Sequence, residues 1–514
     1  MFGIYNLYDT VTRTLSDRTF IVEGDLRLSY GDMGKMCNRL AWGFKELGIK
    51  GGSNVGYVMM NEYRTILTFF ALQKLGAFMT PFNFRFTAKE MREYISMIGC
   101  EYFIYAKALA STVAEIKAEH PDVIWVAVDS DNDDVSYETL MDNDASDWRF
   151  FEDMPADSPA VGILTGGSSG KSKAAVHSKY SMIMQQWQRQ TWIFDANYIR
   201  VPMVYLLISP LFHVGGIGPM FNIISAGGKL VFGGKFNPEN IAKLIAREKV
   251  TDLVLVPPNL AQAIKDTGIH KICDLSSVRY VGIGGGNITP SHVRIVHEVF
   301  PNAACDLMYS QSEYASFITH LVTPETLEER PDLVKSVGKP VYFTQAKIMR
   351  NDGTEADVGE VGELYARCEG MMIGYIGQTE SPFIDGWLPT GDLLMKDEEG
   401  YYYFIDRKKD MIKSGGENVF SAEVESVIKQ MPGVSEVAVF ALPDDFYGEA
   451  VSAAIVLSPD STIDAQAVSE FCKANIASYK KPRHVFFLSV LPKSGAGKVQ
   501  KTVLKQMFSE QITR

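Results

Sequence analysis

Between residues 33 and 283 the chain alternates between two hydrophobic periods, and this limits the possible folds more than any other feature. Met33, Met36, Cys37, Leu40, Ala41, Phe44 and Leu47 recur at three- and four-residue spacing and stop at Gly48. That spacing predicts an amphipathic helix ended by a glycine. Residues 54–60 then read as a strand, and Ile66, Leu67, Phe69, Phe70 and Leu72 mark a second helix ending near Gly76. Strand candidates continue at 102–105, 123–128, 160–164, 229–232, 253–256 and 279–283. Such interleaving calls for α/β layers with largely parallel sheets.

After about residue 340 the texture changes. Short strand-like pieces at 346–349, 362–366, 371–375, 386–388 and 401–405 alternate with glycine-rich turns, as in a mostly antiparallel subdomain. A small α+β unit follows: Val424, Val427, Ile428 and Met431 form one helix face, and 434–442 and 451–457 read as strands. The charge run Asp406-Arg407-Lys408-Lys409-Asp410 cannot sit in a core, and it sets the expected boundary. At 514 residues the chain exceeds what one core usually supports. The expectation is a large N-terminal domain over 1–406, with a β subdomain from about 340, and a small C-terminal domain over 407–514.

The run from Thr165 to Lys173, T-G-G-S-S-G-K-S-K, follows the apolar segment Ala160 to Leu164. Glycine lets backbone N–H groups approach a ligand, and successive N–H groups form an anion-binding concavity. Hydroxyls and ammonium groups add donors, so the run reads as a polyphosphate cradle, against a plain flexible turn. Gly170-Lys171-Ser172 resembles the end of a Walker loop, yet Thr165 stands where that motif needs its first glycine. In the other register Lys173 is the anchor. The loop alone leaves both open.

With 46% hydrophobic and 22% charged residues the composition is that of an ordinary globular protein. A net charge of −12 argues against nucleic acid as a partner, so anionic ligands need local cation clusters. Six cysteines lie singly with no C-x-x-C pair, as expected in a reducing cytoplasm, and offer no zinc site. No basic-then-apolar leader opens the chain, and the apolar region 201–232 is interrupted by prolines and glycines. Neither a secretory signal nor a transmembrane segment is expected. The acidic run 129–134 is read as a solvated loop.

Further polar clusters interrupt the scaffold. They are the histidine in Pro210-Leu211-Phe212-His213-Val214-Gly215-Gly216, the turn Gly284-Gly285-Gly286, and Tyr309-Ser310-Gln311-Ser312-Glu313. Pro389-Thr390-Gly391-Asp392, Asp406-Arg407, Lys413-Ser414-Gly415-Gly416 and Pro492 to Lys498 complete the set. Singly each has an ordinary structural explanation; their joint order does not. Together they resemble the AMP-forming acyl-CoA synthetases of the adenylate-forming superfamily, which also holds peptide-synthetase adenylation domains and firefly luciferase. The likeness covers nearly the whole chain. It departs at Gly166, Ser172, Ala174 and Ser312, where serine, proline, glycine and threonine are usual.

The resemblance implies ATP, Mg²⁺ and coenzyme A, and two steps: a carboxylate becomes an acyl-adenylate, and a thiol then displaces AMP. It implies that Thr165, Gly166, Gly167, Ser168, Ser169, Gly170 and Lys173 hold phosphates. Tyr309 and Gly284 to Gly286 would enclose adenine, Ser312 would contact the α-phosphate, and Glu313 would bind Mg²⁺. Asp392 and Arg407 would hold the ribose. Lys498 would bridge carboxylate and α-phosphate, with Lys409 as the hinge of a mobile C-terminal domain. Ser414, Gly415 and Gly416 would line a pantetheine tunnel, and His213 would sit at the acyl pocket. Tyr314 and the segment from Trp187 to Trp192 are further pocket candidates, with aromatic or medium-chain acids as leading substrates. Loading of a carrier protein, a luciferase-like oxygenase and a P-loop NTPase are the alternatives. The sequence leaves a homodimer open.

Overall fold

The structure, a computed structural model, describes residues 3–130, 133–166, 172–193, 203–255, 259–284, 288, 290–314, 317–323, 330–376, 378–459, 461–493 and 499–512. The chain packs into two compact units, one of residues 1–346 and 366–388, the other of residues 347–365 and 389–514. This division differs from the expected one at 406: residues 347–365 and 389–406 of the β subdomain pack with the C-terminal part.

The first unit holds two large sheets. One has nine strands, in the order Lys339–Pro340, Phe317–Thr323, Ala304–Ser310, Tyr280–Gly284, Asp252–Leu255, Val204–Leu207, Lys229–Phe232, Thr19–Glu23 and Leu26–Ser29. From Ala304–Ser310 to Thr19–Glu23 all neighbours are parallel. The other sheet has eight, in the order Gly374–Ile376, Ser172–Ser178, Pro159–Gly166, Phe78–Pro81, Asn54–Val58, Tyr102–Ala106, Ile124–Val128 and Val135–Ser136. Its first three strands are antiparallel and the rest parallel. The α/β layering expected from the periodicity is present.

Helices cover these sheets with the faces their periodicity dictates. Helix Tyr30–Glu46 starts at Ser29, whose hydroxyl accepts from Asp32 N at 3.0 Å while Asp32 accepts from Ser29 N at 2.9 Å. That reciprocal cap satisfies two otherwise orphaned donors. The helix buries Met33, Cys37, Leu40, Ala41 and Phe44. Helix Tyr63–Lys74 buries every residue from Thr65 to Leu72, so it is wrapped on all sides. Among the described residues no helix is long and apolar enough to cross a membrane.

In the 129–134 run Asp129 and Asp133 are exposed, as expected of a solvated loop, while Asp134 is partly buried. Asp134 pairs with Lys117 and accepts from the Tyr105 hydroxyl, and Asp129 pairs with Arg64 at 2.5 Å. Cations at 64 and 117 thus hold the two ends of the run.

The second unit contains most of a four-stranded sheet, ordered Thr344–Met349, Val361–Cys368, Leu388–Lys396 and Tyr402–Arg407. It also contains a five-stranded sheet built on the long hairpin Val434–Asp444 and Gly448–Leu457. Helix Ser421–Ile428 packs there through Val424 and Ile428, onto a small core with Ile412, Val439, Val451 and Ile455.

Candidate active site

The glycine-rich run connects two strands that pair antiparallel. Strands Pro159–Gly166 and Ser172–Ser178 pair with Leu164 opposite Ala174, Thr165 opposite Lys173 and Gly166 opposite Ser172. A Walker loop joins a strand to a helix, whereas here the chain leaves the loop as a second strand. The P-loop NTPase alternative is therefore excluded by topology. Residues 167–171 lie outside the described set, so Gly167, Ser168, Ser169 and Gly170 are not placed; Thr165, at the mouth, bonds Lys173 O through its hydroxyl at 3.5 Å.

Along Ser172–Ser178, alternation puts Lys173, Ala175 and His177 on one face. The edge strand Gly374–Ile376 sets Tyr375 directly opposite Ala175, so Lys173 is its diagonal neighbour, within reach of a long side chain. Lys173 Nζ lies 3.7 Å from the centre of the Tyr375 ring. The Tyr375 hydroxyl donates to Glu313 Oε1 at 2.7 Å, and Met372 N donates to Glu313 O at 2.8 Å. Burial holds the Lys173 ammonium below the usual lysine range, with the Glu313 carboxylate opposing. Burial and then Glu313 raise the Tyr375 phenol.

His177 secures the same turn from behind. Its Nε2 lies 2.8 Å from Ser312 O, and its Nδ1 lies 3.0 Å from Gln185 Nε2, which also donates to Gly370 O at 2.8 Å. A carbonyl only accepts, so Nε2 carries the proton and Nδ1 accepts from the glutamine. The imidazole is fully buried, and burial pushes its pKa down to about 4. It is a neutral strut. His177, Gln185 and Tyr375 were not among the expected site residues. The i, i+4 spacing of His177 from Lys173 on one strand face was the available signal; nothing local marked Tyr375.

Gly284 and Tyr309, expected at adenine, lie on adjacent strands. Gly284 pairs with Met308, one residue before Tyr309. A Cβ on Gly284 would stand 3.0 Å from Met308 O, which keeps a side chain out of this strand end. Gly285 and Gly286 lie outside the described residues. His213 caps helix Val214–Ser225, its Nδ1 accepting from Gly215 N at 3.2 Å. Its loop is tied down by Asn61, which bonds Ser209 O and Leu211 N, each at 2.9 Å. Tyr314 is not a pocket wall. It is fully buried, and its hydroxyl donates to Ala366 O at 2.9 Å, pinning the Ser312–Glu313 turn to strand Val361–Cys368. Trp187 is 58% exposed, and the Trp192 side chain lies outside the described set.

The second unit carries the remaining candidates. Asp392 and Arg407 face each other across a ladder, Nε to Oδ1 3.4 Å, with the carboxylate buried and the guanidinium largely exposed. Their turn is braced by Glu363, which accepts from Gly391 N at 3.1 Å and from Lys408 Nζ at 2.7 Å. Gly391 needs its glycine, at φ +72°. Asp406, buried, accepts from Ser421 Oγ at 2.9 Å and Arg407 N at 2.8 Å, anchoring the segment just before Lys409, which is itself exposed. Gly415 and Gly416, at φ +61° and +86°, form the two-residue turn between strands Ile412–Ser414 and Glu417–Val419. Two left-handed residues in succession make a tight primed hairpin. Lys498 lies outside the described residues; the base of its loop is closed where Lys493 pairs with Val499 and bonds Glu436 at 2.5 Å.

The first unit thus sets a cation over the ring and a carboxylate at the hydroxyl of one tyrosine, beside the strands that flank the glycine-rich run. Glu313 offers Mg²⁺ a hard oxygen: Oε1 takes the tyrosine hydroxyl, and Oε2 has no hydrogen bond among the described residues. One carboxylate is a partial ligand set, as fits an ion shared with phosphate oxygens.

Comparison with known proteins agrees. The AMP-binding enzyme pattern matches residues 7–376, and that of the AMP-binding enzyme C-terminal domain matches residues 423–498. A long-chain-fatty-acid–CoA ligase of Mycobacterium tuberculosis is 30% identical over 95% of both chains. An indoleacetate–CoA ligase of Aromatoleum aromaticum is 30% identical over 94% of this chain and 93% of its own. A solved structure of a Mycobacterium tuberculosis fatty acyl CoA synthetase superposes with a TM-score of 0.78 at 29% identity, covering 99% of each chain. A matched pattern spanning 7–376 and relatives 30% identical over nearly the whole chain lead to one conclusion: the chain belongs to the AMP-binding enzyme family.

Proposed function

We propose that this protein is an AMP-forming acid–thiol ligase converting a hydrophobic carboxylic acid to its coenzyme A thioester. The gathering of Lys173, Ser312 and Glu313 at the mouth of a glycine-rich hairpin carries this reading. A carboxylate is a poor acyl donor because its oxygen is a poor leaving group. In the first step a carboxylate oxygen attacks the α-phosphorus of ATP, the bond to the β-phosphate breaks, and pyrophosphate leaves. In the second the coenzyme A thiol, losing its proton, attacks the acyl carbon, and AMP leaves with the former carboxylate oxygen.

In this scheme the hairpin from Thr165 to Lys173 holds the β- and γ-phosphates, and Ser312 meets the α-phosphate. Gly284 to Gly286 and Tyr309 take adenine, while Asp392 and Arg407 take the ribose. Glu313 would hold Mg²⁺, which would neutralise phosphate charge when bound. Lys498 stabilises charge developing between carboxylate and α-phosphorus, and loss of one such donor costs about 2.7–4 kcal/mol. Lys409 serves as the hinge that withdraws Lys498 after the first step, and Ser414, Gly415 and Gly416 then line the pantetheine path. His213 faces the acyl group. Similarity to ligases named for fatty acids and indoleacetate supports coenzyme A over a carrier protein, and aromatic or fatty acids, medium-chain acids among them, as substrates. Six free cysteines suit a cytoplasmic setting, and a homodimer is the assembly to be tested.

A panel of aromatic and fatty carboxylates, each with ATP, Mg²⁺ and coenzyme A, tests the reading. Release of AMP and pyrophosphate that depends on the acid is expected. Release of ADP and phosphate, or acid-independent hydrolysis, would overturn it.

A further inference from the structure

Tyr375 touches both charged groups of the first unit's site at once. Its ring lies under Lys173 Nζ at 3.7 Å, and its hydroxyl donates to Glu313 Oε1 at 2.7 Å. We propose that Tyr375 is the positioning residue for the metal-binding carboxylate, and that its ring separately places the phosphate-anchoring ammonium. This rests on the reading of Glu313 as the Mg²⁺ residue.

The geometry divides the carboxylate between two tasks. With Oε1 committed to the phenol, the C–C–O plane of Glu313 is fixed and Oε2 is left as the oxygen able to meet a cation. The turn behind it is immobilised independently by Met372 N on Glu313 O and by His177 on Ser312 O, both at 2.8 Å. The remaining freedom lies in the side-chain torsions, which the Tyr375 hydroxyl restrains. Hydrogen-bond partners of a metal-binding carboxylate orient it, and their loss typically weakens metal binding about 10–100-fold.

The ring has a different task. A lysine near a carboxylate would ordinarily collapse onto it; at 3.7 Å over the aromatic face, the ammonium is held by the ring's negative quadrupole instead. The tyrosine thus keeps anchor and carboxylate separately available for phosphate and metal. Backbone register enforces this, since Tyr375 stands opposite Ala175, two residues from Lys173 on the same face.

Tyr375→Phe removes only the hydroxyl. It should raise the Mg²⁺ concentration for half-maximal ATP–pyrophosphate exchange about 10–100-fold, leaving the rate at saturating Mg²⁺ within about threefold of wild type. Binding of Mn²⁺ to the enzyme–ATP complex, followed by electron paramagnetic resonance, should weaken by the same factor, with the melting temperature unchanged. Tyr375→Leu removes the ring too and should add a rise in KM for ATP that Tyr375→Phe does not show. Glu313→Gln is the control. If Glu313→Gln shifts the Mn²⁺ binding curve and Tyr375→Phe does not, the proposal is overturned while Glu313 keeps its role. If neither variant shifts it, the assignment of Glu313 fails and this proposal with it.

Discussion

His177 donates from Nε2 to the carbonyl oxygen of Ser312 at 2.8 Å and accepts at Nδ1 from Gln185 at 3.0 Å, so it can serve only as a neutral ring. Burial lowers its pKa from 6.5 to about 4. With the folded value depressed, the unfolded chain takes up the proton first. The stability is fully present above about pH 6.5 and is lost as pH falls toward 4. From pH 7.5 to pH 5 this site should cost about 2 kcal/mol. Urea unfolding of wild type and His177→Gln at both values checks it: the variant should lose about 2 kcal/mol less. Equal losses would count against the neutral strut.

We propose Lys173, which lies against the Tyr375 ring, as the phosphate anchor in place of Lys171. Lys173→Ala should raise KM for ATP about tenfold or more, the effect of losing roughly 1.5–3 kcal/mol from a charge-assisted contact. Lys171→Ala should change it less than threefold. Steady-state kinetics with ATP varied distinguishes them, and the reverse ranking would contradict the register.

Tyr314→Phe removes a buried hydroxyl that bonds Ala366 O. A carbonyl left without its donor should cost about 1–3 kcal/mol by denaturant unfolding. Because the side chain has no exposed surface, the ranking of carboxylic acids by kcat/KM should stay that of wild type.

Asp392→Asn should raise KM for ATP by about one order of magnitude and leave KM for coenzyme A within about twofold, as expected for a ribose contact. An equal rise in both would indicate general damage to the turn that Glu363 braces.

Much of this was legible in the residues. The helix beginning near residue 30 and the strands near 54, 102, 229, 280, 434 and 451 stand where the hydrophobic periods put them, because one buried face per element is a local requirement. What remained hidden depends on partners distant in sequence. Tyr375 gains its place only because Gly374–Ile376 adds to the sheet edge beside Ala175. Tyr314, a bulky side chain after a catalytic-looking turn, suggested a pocket but lies in the packed interior. Asp134, in an acidic run whose Asp129 and Asp133 are exposed as expected, is partly buried because Lys117 at the end of helix Ala110–Lys117 supplies its counter-charge. The compact units likewise regroup residues 347–365 with a segment starting at 389, since strands pair by register and not by order in the chain.

The central claim is that Lys498 serves the first step alone, and separating the two half-reactions of Lys498→Ala tests it most directly. Carboxylate-dependent ATP–pyrophosphate exchange should fall about 100-fold or more, while thioester formation from supplied acyl-adenylate and coenzyme A stays near the wild-type rate. Equal loss of both half-reactions would contradict the account.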